Sequence, residues 1–161
     1  MDISIYMLEE LLKIILIFFS WTCVLYWTHR LCHIIPYVKT VHWHHHKYVT
    51  SQQPQWMWQN IFLYSDDWMS TLDIIITEII PTIIFCLLTG QWWIFIVYYV
   101  WTAFIQEWIE HNSNFNIWPF SAGKFHLNHH KNWRCNYSLF FPLWDHVFGT
   151  AIPVKNKEKT N

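Results

Sequence analysis

Residues 42–46 read HWHHH, and residues 126–130 read HLNHH. In each, histidines recur at i, i+3 and i+4, a spacing that places His42, His45 and His46, and again His126, His129 and His130, on one face of a helix. HRLCH at 29–33 adds His29 and His33 at i and i+4, provided the first helix continues that far. His111 stands alone, one helical turn beyond Glu107. Imidazole is a ligand for iron, zinc and copper. A structural zinc site closes with four ligands, whereas these boxes offer nine nitrogens, so the pattern implies two metal ions. Clustered histidines also serve as pH sensors, a role that does not call for two copies of one box. His44, which points off the shared face, and His146 are read as ordinary structural histidines.

Three apolar runs must position these boxes. The first covers 11–27 and extends back to Ile5, the second is 72–90, and the third is 91–108. Each approaches the roughly 20 residues that a helix needs to cross about 30 Å of hydrocarbon. Gly90-Gln91 is the break between the last two, which predicts a tight helical hairpin with Trp92 and Trp93 in an interfacial belt. Glu78 and Pro81 interrupt the second run, and a carboxylate there should face the bundle interior. Pro36 is expected to end the first helix. Arg30, Lys39 and Lys47 follow the first run, and Lys124, Lys131, Arg134, Lys155, Lys157 and Lys159 follow the third, so the positive-inside bias places every histidine on the cytoplasmic side. The expected fold is all-α: an integral membrane helical bundle of about three transmembrane helices, carrying a cytoplasmic histidine-rich di-metal cap.

The chain has 161 residues, 53% of them hydrophobic, 20% aromatic and 13% charged, with a formal net charge of -1. That is half the charge of a soluble domain. No basic block tracks a nucleic-acid backbone, so no nucleic-acid partner is expected. The four cysteines form no CxxC pair and read as reduced thiols. No small-residue cleavage site follows the first run, so no cleavable signal peptide is expected. Residues 54–70 are too polar to span and carry Trp56, Trp58, Phe62, Tyr64 and Trp68, which suits an interfacial segment. Residues 1–153 read as a single domain, and 154–161 as a solvated tail.

HRLCH, HWHHH and HLNHH, followed by NYSLFFPLWDHVFGT at 136–150, resemble the fatty acid hydroxylase/sterol desaturase superfamily, membrane enzymes with a histidine-rich di-iron centre. The resemblance covers roughly residues 25–151, and the order of the boxes together with the WDxxFGT ending carries it. It implies metal ligation by His29, His33, His42, His45, His46, His111, His126, His129 and His130. Some members have HxxxH where this chain has Glu107 and His111, so Glu107 is either a ligand or a partner of one. Ser138 replaces the glycine of an NYG stretch, and His146 stands where arginine is common. Trp144, Asp145 and Gly149 are expected to pack the C-terminal cap rather than take part in the chemistry.

The resemblance implies an O2-dependent oxidoreductase that hydroxylates or desaturates an unactivated C–H bond of a lipid drawn from the bilayer. The cofactors would be two iron ions, which zinc can replace in a purified sample. The chain has no Gly-rich nucleotide motif, no haem pattern and no CxxC cluster, so electrons must come from an external donor of the cytochrome b5 or ferredoxin type. Two alternatives share the histidines: an acyl-chain desaturase of the other histidine-box superfamily, and a catalytically inactive histidine-rich membrane metal-binding protein. The WDxxFGT ending speaks against the first, and the intact spacing of every box against the second. Lys157 and Lys159 match a dilysine retrieval pattern, which would place a eukaryotic form of this multi-pass protein in the endoplasmic reticulum membrane.

Overall fold

The computed structural model describes residues 3–51 and 56–153, apart from the side chains of residues 49–51 and 107. Every regular element among them is helical. Helix α1 spans Ile3–Cys32, α2 Pro36–Ser51, α3 Trp68–Thr89, α4 Trp93–Gln106, α5 Lys124–Lys131 and α6 Leu143–Val147. A short helical turn, Glu107–Ile109, continues α4. The C-terminal residues from 154 on, with the dilysine pattern and the expected tail, lie outside the described residues.

Helices α1 and α3, of 30 and 22 residues, are long and apolar enough to cross a bilayer. The N-terminal half of α1 leaves Ile3, Met7, Leu8 and Leu16 exposed, an apolar surface that a lipid environment would cover. The third expected crossing differs. After Gly90 the chain turns in a left-handed conformation (φ 71°) and becomes helical only at Trp93. With the turn that continues it, α4 then runs from Trp93 to Ile109, about 26 Å at 1.5 Å per residue, somewhat less than the hydrocarbon thickness. Among the described residues, α1 and α3 are thus the helices long and apolar enough to cross, and the third run forms a shorter one.

Pro36 also acts otherwise than expected. Helix α1 already stops at Cys32, His33 lies in the turn after it, and Pro36 opens α2. Proline suits the first helical position because its missing N–H would have no partner there. His33 nevertheless remains close to the site, since Ile34 and Ile35 both donate to the Leu31 carbonyl and keep the turn tight.

The core packs α1 against α3 and α4 through Trp21, Leu25, Cys86, Ile94, Tyr98 and Phe140. Trp21 Nε1 donates to Thr82 Oγ1 at 3.0 Å. Lower on the same seam, Pro81 has no N–H to offer the Thr77 carbonyl four residues back. The Thr28 hydroxyl reaches that carbonyl instead, its one proton shared between the Thr77 and Leu25 carbonyl oxygens at 2.9 Å each, which ties α1 to α3 one residue before His29. Helix α3 contains a π turn at Ile75–Ile79, and α4 ends in another at Trp101–Gln106. Such insertions re-aim the residues that follow them and recur at functional sites.

The segment after α5 forms the cap. Asp145 Oδ1 and Oδ2 accept from the backbone N–H groups of Tyr137 and Ser138 at 2.8 and 2.9 Å, and the Thr150 hydroxyl donates to Oδ1 at 2.7 Å. Asn136 (φ 58°) ties the loop to the Phe125 carbonyl in α5 and to the backbone of Ile152. Ser138 is not among the positive-φ residues, so its backbone accommodates a side chain without strain. Trp144 Nε1 reaches Thr22 on α1 at 3.0 Å and docks the cap. In the 54–70 segment, Trp58, Phe62 and Trp68 are exposed around a short 3-10 turn, Trp58–Phe62.

Candidate metal centre

All nine histidines of the boxes come together where α1, α2, α4 and α5 meet, in two groups. The first holds His29, His33, His42, His46 and His129; the second holds His45, His111, His126 and His130. Each HxxHH box is thus divided. Helix α2 gives His42 and His46 to the first group and His45 to the second, while α5 gives His129 to the first and His126 and His130 to the second. His44 turns away to Asp67, 2.7 Å from Nε2 to Oδ2, and His146 is exposed on α6.

The first group converges through Nε2. His42 Nε2 lies 3.2 Å from that of His29, 3.1 Å from that of His33 and 3.1 Å from that of His46; His33 and His129 are 3.1 Å apart. In the second group, His130 Nε2 lies 3.2 Å from that of His111 and 3.0 Å from that of His126. Two nitrogens bound to one ion at about 2.1 Å, at right angles, would be about 3.0 Å apart. The spacing is therefore that of neighbouring ligands around a shared ion.

The protonation states agree with ligation. Burial, then the neighbouring imidazoles, holds the His33 ring down at about 2. Burial likewise pushes His42, His111, His126, His129 and His130 well below the usual imidazole range, and lowers His45 and His46. Neutral imidazole is the ligating form.

Three of the five outer nitrogens of the first group are held by acceptors. His29 Nδ1 lies 2.7 Å from the Tyr137 carbonyl, His129 Nδ1 2.7 Å from the Cys135 carbonyl, and His42 Nδ1 3.0 Å from both carboxylate oxygens of Asp73. An acceptor at Nδ1 fixes its proton there and turns the Nε2 lone pair inward. The Tyr137 carbonyl is itself held by the Asp145 loop, which is how the WDxxFGT ending serves the site. The second group is built differently. Among the described residues, Nδ1 of His111, His126 and His130 has no hydrogen-bond partner. Its carboxylate is Glu110, whose Oε1 lies 3.6 Å from His126 Nε2 while Oε2 accepts from Gln106 Nε2 at 2.8 Å.

Between the groups lies a cavity of about 20 Å³, lined by His29, His42, His45, His111 and His126 and walled by Asp66, Asp73, Thr77, Glu78, Gln106 and Glu110. That is room for about one water-sized molecule. Glu78 faces this interior, as its place in an apolar run required. Asp73 and Glu110 were not anticipated. The signal for Asp73 was present, a carboxylate in an apolar run, as for Glu78. The side chain of Glu107 lies outside the described residues.

The fatty acid hydroxylase family model matches residues 14–150. A curated relative, methylsterol monooxygenase 1 of Gallus gallus, is 30% identical over 148 residues, covering 83% of this chain and 45% of its own length. The chain thus spans a little under half the length of that relative. No solved structure matches it.

Proposed function

The chain belongs to the fatty acid hydroxylase family, and from that premise we propose that it is a membrane-bound di-iron oxidoreductase that uses O2 to hydroxylate a lipid. The observation that carries this reading is the pair of converging histidine groups, five donors and four, at one end of the apolar helices. Bound there, two irons would supply the activation of O2 that attack on an unactivated C–H bond requires, chemistry beyond any side chain alone. The nine histidines are the ligands in this reading.

The chain's own residues hold the lone pairs inward and keep bulk water out. Asp73 and the Tyr137 and Cys135 carbonyls orient the first group, and burial keeps the rings neutral. The small cavity admits a diatomic or a water but not an alkyl chain, so the lipid would present one carbon at its edge. The relative is named a monooxygenase, which favours insertion of oxygen over removal of two hydrogens. The positive charges flanking the runs support a site on the cytoplasmic side, in the endoplasmic reticulum if the cell is eukaryotic. Electrons would come from a separate carrier of the cytochrome b5 or ferredoxin type.

Lipid profiling of cells with and without the protein tests this. One lipid class should gain an oxygen atom in an O2-dependent manner, and the gain should vanish in His45→Ala. Loss of two hydrogens instead would make the enzyme a desaturase, and an unchanged profile with metal bound would make it a binding protein.

A further inference from the structure

Two rings of the first histidine group are covered from outside by tryptophan. Trp133 stacks on His33 with ring centres 5.8 Å apart and planes at 24°, and Trp43 stacks on His46 at 5.8 Å and 10°. His33 and His46 themselves are 3% and 4% exposed, whereas Trp43 is 48% exposed and Trp133 half-buried. The two indoles therefore connect the molecular surface with buried imidazoles. They wall an open groove of roughly 420 Å³ with Pro36, Lys39 and Thr40. Lys39 Nζ lies 5.1 Å and Arg134 Cζ 4.9 Å from the Trp133 ring centre. Among the described residues, neither cation forms an ion pair. An aromatic floor flanked by two cations with no acidic partner of their own complements an acidic protein surface.

We propose that this groove is the docking surface of an acidic one-electron carrier protein, and that Trp133 is the residue through which the electron reaches His33. This rests on the reading of the protein as an O2-dependent hydroxylase. Converting one C–H bond to C–OH with O2 consumes two electrons and two protons and releases one water. The carrier is oxidised by one electron at each docking, so two dockings complete a turnover, with the protons drawn from solvent. A lipid headgroup would answer the two cations equally well, but it gains nothing from a ring stacked on a buried metal-facing imidazole.

The full-length protein in phosphatidylcholine nanodiscs, titrated with the soluble haem domain of cytochrome b5, provides the test. Binding should weaken with added salt, and Lys39→Glu with Arg134→Glu should weaken it at least tenfold at low ionic strength. Lys13→Glu, far up α1, should leave it unchanged. In Trp133→Leu, reduction of the metal centre by the carrier should fall at least tenfold relative to its reduction by dithionite. An unchanged ratio would remove Trp133 from the route. No binding by the native protein, or equal binding by the double variant, would overturn the surface. So would loss in the double variant of phosphatidylserine vesicle binding alone, which would make the groove a headgroup site. If dithionite and O2 yield no lipid oxidation in the native protein, the hydroxylase reading fails, while the binding result still decides the docking surface.

Discussion

Asp73 meets His42 Nδ1 with both of its carboxylate oxygens at 3.0 Å, the one direct carboxylate contact to the first histidine group among the described residues. Such partners fix the ring and raise ligand basicity, and losing one costs about 10–100-fold in metal affinity. Asp73→Ala should weaken metal binding within that range, and Asp73→Asn, which keeps an acceptor, should weaken it less. Competition against a chelator of known affinity measures both. Equal affinities in all three proteins would reduce Asp73 to a packing residue.

The division of each box makes a prediction that spacing alone does not. His129→Ala removes a donor from the first group, and His45→Ala or His126→Ala from the second. Each should lower bound metal from two ions per chain toward one, the two classes losing different ions, and each should abolish lipid oxidation. His44→Ala, paired with Asp67 outside both groups, should keep both metals. Elemental analysis of the purified variants, with iron replaced by two distinguishable metals, separates the classes. If His45→Ala and His129→Ala lose the same ion, the grouping is wrong.

How much of this was legible beforehand depends on what helical periodicity encodes. The i, i+3, i+4 spacing announces that three rings share a face, so the convergence of the boxes could be read. It does not say which ring meets which neighbour, so the split between two groups could not. Glu107 was singled out by counting one regular turn back from His111. The Glu107 side chain lies outside the described residues, whereas the carboxylate seen to reach His126 is that of Glu110, the residue directly before His111, a position that a count by helical turns does not mark. The third run shows a similar limit: an apolar run gives composition, whereas its helix starts only at Trp93, after the Gly90 turn.

Metal-free protein should lose stability toward acid. Burial depresses the pKa of His33, His42, His126, His129 and His130 in the folded state, while in the unfolded chain imidazole titrates near 6.5. Above that pH both states are neutral and these groups add no slope. Below it the unfolded chain takes up protons that the folded chain refuses, so stability falls by up to about 1.4 kcal/mol per pH unit for each ring. The Tm of chelator-treated protein should be flat above about pH 7 and fall below about pH 6.5. A Tm that rises toward acid would mean that the rings are charged when folded.

Gly123 opens α5 with φ 72°, and a Cβ there would collide with the Phe115 carbonyl oxygen. Its N–H donates to the Glu110 carbonyl at 2.8 Å, closing the loop that carries the chain from His111 to His126. Gly123→Ala should therefore cost at least about 1–3 kcal/mol of strain and loosen the second group. Gly149→Ala, at φ 69° but with open space around it, should cost less. Thermal melts of the two variants rank them, and equal losses would show that backbone conformation alone matters.

The Thr28–Thr77 bond answers a deficit created by Pro81, so the two positions should be coupled. Thr28→Val removes the hydroxyl that the Thr77 and Leu25 carbonyls share at 2.9 Å each and leaves the Thr77 acceptor short of a donor, a cost of up to about 1–3 kcal/mol. Pro81→Ala restores an N–H four residues beyond Thr77, where a regular helix would use it. In that background the Thr28 hydroxyl is redundant, and Thr28→Val should cost much less. The double-mutant cycle should then give an interaction energy of about 0.5–3 kcal/mol, read from unfolding in detergent. The same cycle bears on the site, because Thr28 precedes His29 and sets the height at which α1 meets α3. Thr28→Val alone should weaken metal binding by the first group, and Pro81→Ala should restore it in part. Strict additivity would mean that the Thr77 carbonyl is satisfied within α3, and that the hydroxyl only packs against it.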